Sequence, residues 1–287
     1  MRTTLRATLP ALLAVLASVL LAGCLSPGAT REAIATRLVP APSGGGDKVL
    51  VVVLPGRGDD LQGLVDSGIA PAIQAAWPEA DVLLAEVTLA YYYEGRMPER
   101  LHDEVIAPAR ARGYAGVWLA GASMGGMGTL LYERSRPGEL DGLVLLAPYL
   151  GDRGLLKEIG EAGLAAWEPG PEPAGIDRKT FQREVWRNVQ RWSGSGRGKD
   201  VWLAYGDDDR LAKAIGVFSP ALPADQVLER PGGHAWVVWS PAAGEVFTRI
   251  RARHEARGGA ARRRGLSPAA WRCPCRSSRA CRSARSA

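Results

Sequence analysis

Gly121-Ala122-Ser123-Met124-Gly125 forms a G-x-S-x-G, with Gly126 directly behind it. It stands where an apolar run, Gly116 to Ala120, gives way to a helical pattern from Gly125 to Arg134. A serine at such a junction occupies a tight, strained turn that lifts its hydroxyl clear of the sheet. The hydroxyl also faces the positive end of the helix dipole, which favours developing negative charge. Side chains at 121 or 125 would collide with the neighbouring strand or helix, so the pattern predicts Ser123 as a nucleophile. A serine needs a base, and histidine is the usual one near neutral pH. The chain offers three: His102, His234 and His254. His102 falls on an expected helix well before the nucleophile, and His254 borders a basic tail. His234, in Pro231-Gly232-Gly233-His234-Ala235-Trp236, is the candidate that remains.

The elements around these residues alternate. Lys48 to Leu54 is a continuous apolar, β-branched run, as expected of a strand buried on both faces. Pro55-Gly56-Arg57-Gly58 ends it, and Asp59 or Asp60 is placed to cap a helix reaching about Ala76. Val82 to Leu89 reads as the next strand, followed by a helix from Pro98 to Arg112 that Pro108 should bend. Gly116 to Ala120, Gly142 to Ala147, 200–206 and 226–229 supply four more strands, and 241–254 a final helix. Strands alternating with helices predict an α/β fold: a mostly parallel central sheet with helices on both faces. A helical insertion at about 151–199 interrupts the rhythm and carries Trp167, Trp186 and Trp192. It reads either as a lid over the site or as peripheral helices that bury their indoles.

With that order of elements the chain resembles the α/β-hydrolase superfamily, over about residues 48–254. The Gly-x-Ser-x-Gly turn and the Gly-Gly-His turn after the last strand carry the resemblance. Members run in the order oxyanion loop, nucleophile, acid, histidine. The resemblance implies Asp209 as the acid, from a G-x-x-D habit matched by Gly206-Asp207-Asp208-Asp209. Asp207 and Asp208 stand one residue away with the same chemistry, and Asp152 follows the preceding strand, where some relatives place the acid. Leu54-Pro55-Gly56-Arg57 lies where relatives carry an H-G-x oxyanion loop, with Pro55 in place of the histidine. That leaves the backbone N–H groups of Arg57 and Met124 as implied oxyanion donors. Tyr91-Tyr92-Tyr93 follows a strand end, so one of them is a candidate for the pocket wall.

The flanks differ from this body. Arg2, Arg6 and the apolar stretch Ala11 to Ala22 form a signal-like segment too short to span a bilayer. It closes with Leu21-Ala22-Gly23-Cys24, which resembles the bacterial lipoprotein lipobox. The resemblance implies a signal peptide over 1–23, acylation of Cys24, and a place on a membrane of the cell envelope, periplasmic or surface-facing. Each acyl methylene buried is worth about 0.8 kcal/mol, so several chains hold a protein firmly. Residues 24–47, rich in Pro, Gly and Ser, read as a flexible tether, with 31–39 as an edge strand or helical turn. The body is expected over 48–256, and 257–287 as a disordered basic tail.

Charge and cysteine usage exclude several classes. The net charge of +6 misleads, because eleven of the 36 basic residues lie from Arg251 onward against one acid. Residues 1–250 therefore hold 25 bases and 29 acids, which argues against nucleic-acid binding by the body. The four cysteines are Cys24, Cys273, Cys275 and Cys281, none of them in the body, so no disulfide or thiolate metal site is expected there. No P-loop or dinucleotide fingerprint is present, so no cofactor and no metal are expected. The function expected is hydrolysis of carboxylic esters, from a small molecule or a lipid, by Ser123, His234 and Asp209 through an acyl-enzyme. A thioesterase, a peptidase, an acyltransferase and a non-catalytic surface-binding module are the alternatives.

Overall fold

The computed structural model describes residues 32–44 and 48–263. The signal-like segment, Cys24 and the chain beyond Arg263 lie outside the described residues. Seven strands form a single sheet: β1 (Thr36–Val39), β2 (Val49–Leu54), β3 (Ala80–Ala85), β4 (Gly116–Ala122), β5 (Gly142–Leu146), β6 (Val201–Gly206) and β7 (Val227–Arg230). Their order across the sheet is β1-β3-β2-β4-β5-β6-β7. Every pair is parallel except β1 with β3, where Thr36 faces Ala85 and Val39 faces Val82. All six residues of β2 are buried, which is why that strand reads as an unbroken apolar run.

The helices are α1 (Leu61–Asp66), α2 (Ile69–Ala76), α3 (Leu89–Tyr93), α4 (Met97–Leu101), α5 (Ala107–Ala111), α6 (Met124–Ser135), α7 (Arg153–Ala162), α8 (Phe181–Ser195), α9 (Ala212–Phe218) and α10 (Trp236–Arg263). In one layer α10 packs on α2 and on β6, burying Trp239, Ala243, Val246, Phe247 and Ile250 at helical spacing. In the other, α6 packs on β4, β5 and β2 and is flanked by α4 and α8. This is the α/β class expected, with the helix that follows Ser123 lying across the centre of the sheet.

Of the two readings open for 31–39, the structure has the edge strand, β1, and the segment is held from its start: the Ile34 N–H donates to Glu104 (2.6 Å) and Arg100 donates to the Glu32 carbonyl (2.6 Å). Other local expectations are corrected. The helix expected from Asp59 or Asp60 to Ala76 is two helices. Asp60 caps α1 by accepting from the Gly63 N–H, and Gly68, at φ 72°, turns the chain before α2. β3 runs from Ala80 and stops at Ala85, where its partner strands end, and Leu89 opens α3 instead of closing the strand. The helix from Pro98 to Arg112 is interrupted by a π-helical turn at His102–Ile106. Pro108 has no N–H to give to the carbonyl four residues back, and the chain absorbs that loss in the turn just before it. The last helix is longer at both ends than expected and continues through residues assigned to the tail, to Arg263.

The insertion is core on one side and cavity wall on the other. Trp167, Trp186 and Trp192 are all buried, and the Trp186 indole N–H donates to the Leu150 carbonyl at 2.7 Å. Buried Glu184 of α8 accepts from Arg134 of α6 (2.9 Å) and from Arg187 (2.8 Å). Beyond α8, Arg197 makes a bidentate pair with buried Glu133 of α6, both contacts 2.8 Å. These paired charges clamp the insertion onto the helix that Ser123 opens.

Candidate active site

Ser123 is the residue between β4 and α6, with φ 52° and ψ −109°. A non-glycine residue in that region costs about 1–3 kcal/mol and persists only where the surroundings over-determine it. They do so here. The Ser123 N–H donates to the Leu146 carbonyl of β5 at 2.8 Å. Its own carbonyl accepts from the N–H groups of Met127 (3.2 Å) and Tyr149 (2.8 Å). Close approach explains the flanking glycines: a Cβ on Gly121 would lie 2.2 Å from the Gly125 carbonyl oxygen. One on Gly125 would lie 2.6 Å from the carbonyl oxygens of Leu54 and Pro55.

His234 follows β7 and stands two residues before α10 begins. Its Nε2 is 2.9 Å from the Ser123 Oγ, and its Nδ1 is 2.9 and 2.8 Å from the two carboxylate oxygens of Asp209. A carboxylate can only accept, so the Nδ1 carries the hydrogen and the Nε2 is free to take the serine proton. Asp209 ends the turn after β6 and is buried. Its carboxylate is further fixed by the Leu211 N–H at 2.8 Å. Burial pushes the His234 imidazole below the ordinary histidine value; the Asp209 carboxylate opposes that and Arg210 adds to it. The ring is braced by Trp239, edge-on with centroids 4.6 Å apart. Such a line of hydroxyl, imidazole and carboxylate can strip a proton from the hydroxyl and hold the resulting imidazolium.

The competing residues are placed elsewhere. Asp207 is exposed and accepts from the Gly232 N–H at 2.9 Å, and Asp208 is exposed at the tip of the same turn. Asp152 caps α7, accepting from the Leu155 N–H at 3.0 Å. His102 lies with Tyr132 (3.2 Å) and Glu139 (3.0 Å), and His254 packs on the Trp77 ring. Among the described residues, no group of three or more His, Cys, Asp or Glu side chains is arranged to hold a metal ion.

Arg57 and Met124 both line the cavity that opens on Ser123. Met124 is the first residue of α6, so its N–H has no carbonyl within the helix to reach. The loop bearing Arg57 is held by a residue that the sequence offers only as a possible helix cap. Asp59 accepts the Gly56 N–H (3.1 Å) and the Trp236 indole N–H (2.9 Å), tying this loop to the turn that carries His234. Of the three consecutive tyrosines, Tyr91 is buried in the core, while Tyr92 and Tyr93 face the cavity. The cavity encloses about 810 Å³, within the range of small-molecule sites.

Solved structures with this architecture are enzymes by their titles. Est1E from Butyrivibrio proteoclasticus superposes with a TM-score of 0.53 at 15% identity, over 78% of this chain and 95% of its own. A ferulic acid esterase gives 0.51 at 19% identity, over 70% and 84%. The S-formylglutathione hydrolase FrmB from Staphylococcus aureus gives 0.51 at 14% identity, over 77% and 98%. The chain has the α/β-hydrolase fold. At these identities the likeness is one of architecture, and in that architecture Ser123, Asp209 and His234 stand at the carboxyl ends of β4, β6 and β7. No family model and no curated protein sequence matches the chain.

Proposed function

We propose that the protein is a serine hydrolase that cleaves carboxylic esters through an acyl-enzyme. The observation that carries this reading is the unbroken hydrogen-bond line from the Ser123 Oγ through His234 to buried Asp209. The Ser123 Oγ bonds to the ester carbonyl carbon as its proton passes to the His234 Nε2. His234 returns that proton to the departing alkoxide, leaving the acyl group on Ser123. Water then attacks the acyl carbon, giving a proton to His234, and the carboxylic acid leaves as the proton returns to Ser123. The N–H groups of Arg57 and Met124 stabilise the oxyanion in both halves, each such donor being worth about 3 kcal/mol. A retained binding module has no use for a serine held at positive φ, which weighs against the non-catalytic alternative. Labelling by a fluorophosphonate probe tests the proposal. Wild-type protein should be labelled and Ser123→Ala should not, while an unlabelled, folded wild type would overturn it.

The acid limb of the pH profile follows from the environment of His234. The base must be neutral to accept the serine proton, and burial lowers its pKa below the ordinary histidine value. Turnover, as kcat/KM, is therefore expected to rise with pH and to be lost as pH falls through a value below the ordinary histidine value of about 6.5. Replacing Asp209 with Asn removes a group that raises this pKa, so the limb should move further toward acid while the rate drops. A limb that moves upward instead would contradict that assignment.

The location is proposed on the lipobox alone. Acylation of Cys24 after removal of residues 1–23 would hold the protein on an envelope membrane. Glu32, whose carbonyl accepts from Arg100, is eight residues on from Cys24, so the body could stand at most about 28 Å away. Mass spectrometry of the mature amino-terminal peptide should find Cys24 first and acylated. An unmodified thiol, or cleavage elsewhere, would remove the anchor.

A further inference from the structure

The cavity at Ser123 does not end there. It follows one face of α6, where Met124, Met127, Leu131 and Ser135 all line it. Steps of three, four and four residues keep to a single helix face, and the rise of about 1.5 Å per residue makes Ser123 to Ser135 a run of about 18 Å. One wall comes from the α3–α4 segment. Tyr92 lies across the helix with its hydroxyl directly over Gly128 and donating to the Met124 carbonyl at 3.2 Å, and buried Met97 lies beside it. The opposite wall is the insertion, through Ile176 and Phe181. The two walls touch each other: the Arg178 guanidinium sits 4.4 Å from the centre of the Tyr93 ring, and Gly95 approaches the Ile176 carbonyl. The result is a channel that starts at the nucleophile, apolar where Met124, Met127, Leu131, Ile176 and Phe181 line it and flexible at its methionines, with charged residues such as Arg57, Asp177 and Arg210 at its border.

We propose that this channel holds an extended aliphatic chain of the ester substrate, laid along α6 from Ser123 toward Ser135. The proposal rests on the serine-hydrolase reading and names the substrate class for it. At about 1.25 Å of advance per carbon, from a C–C bond of about 1.52 Å, the run of about 18 Å accommodates about fourteen carbons. An aliphatic chain needs no polar partner along its length. The face of α6 offers it none between the Met124 carbonyl, already taken by Tyr92, and the Ser135 hydroxyl. The chain belongs either to the acyl group or to the alcohol, because both leave the same carbonyl carbon at Ser123.

Two ester series distinguish these sources: p-nitrophenyl esters of linear acids from two to sixteen carbons, and acetate esters of linear alcohols over the same range. In one series, kcat/KM is expected to rise by about tenfold or more from two carbons to about fourteen, since each buried methylene contributes favourably. Beyond that length it should level or fall. Leu131→Trp blocks the channel about 12 Å from Ser123 and Ser135→Trp at about 18 Å. Each profile is normalised to the same variant's two-carbon ester. The longest chain accepted should shorten most in Leu131→Trp and less in Ser135→Trp, and this ranking does not require both variants to be equally stable. Flat or falling wild-type profiles in both series, or variant profiles that superimpose on wild type, overturn the channel. In that case fluorophosphonate labelling and acetate turnover of the wild type leave the hydrolase reading standing. If labelling and all ester turnover are absent from folded wild type, that reading fails and the channel proposal fails with it.

Discussion

Ser123→Ala and His234→Ala are each expected to lower kcat by about four to six orders of magnitude, with the double variant little worse than either. Nucleophile and base act as one unit, so removing one leaves the other without a task. Additive losses would mean that the two do not share a step. Both variants should keep the wild-type melting temperature within a few degrees, because neither change opens a large cavity. Ser123 has a small side chain, and the position of His234 is set by its backbone turn and by Trp239. Asp209→Asn should also be severe. An amide facing the Nδ1 permits the tautomer that puts a hydrogen on the Nε2, where the serine proton has to go. Asp207→Asn and Asp208→Asn should change kcat by less than about threefold, because both side chains are exposed and neither touches His234. Steady-state kinetics on one p-nitrophenyl ester checks the whole ranking. A reversed order among the three aspartates would show that the turn after β6 presents a different carboxylate in solution.

How far the sequence could be read depended on the range of the interactions involved. The strand-to-helix turn at Ser123 was legible because its physics is local: glycines two residues on either side are dictated by contacts inside the same turn and with the strand beside it. His234 was legible through scarcity, with three histidines in the chain and one of them in a loop after the last strand. Asp209 needed the family resemblance, since 207, 208 and 209 are chemically alike and only their positions in the turn separate them. β1 was left open between strand and turn because a single one of its four residues is even partly buried. Its pairing with β3 joins residues more than forty positions apart. The bridge from Asp59 to Trp236 spans 177 positions and leaves no local pattern at all. The same holds for the cavity rim, where Tyr93 at the end of α3 meets Arg178 of the insertion. Composition did identify Trp-rich helices in the insertion, yet it offered a choice between lid and core. In the structure one segment serves as core and as cavity wall: the indoles point into the core while Ile176 and Phe181 face the cavity.

The elbow that raises Ser123 should also be the least tolerant point of the backbone. Gly121→Ala is expected to cost about 3–5 kcal/mol of stability or to prevent folding. The added methyl would lie 2.2 Å from the Gly125 carbonyl oxygen, 2.3 Å from its carbonyl carbon and 2.8 Å from the Gly126 nitrogen. All three are backbone atoms in the first turn of α6, so no side-chain rotation relieves the clash. The turn must open. Opening it pulls on Ser123, which is tied at the same time to Leu146, Met127 and Tyr149. Any Gly121→Ala protein that does fold should therefore carry a displaced nucleophile and lose activity, by about 100-fold for a shift near 1 Å. Gly216→Ala supplies the contrast within the same chain. Gly216 lies exposed in α9, and a methyl there meets nothing within 4 Å. Alanine at that position should stabilise by up to about 1 kcal/mol through helix propensity, with unchanged turnover. Urea denaturation of both variants decides the matter. A Gly121→Ala protein with wild-type midpoint and wild-type kcat would mean that β4 and α6 are not held as closely as the distances require.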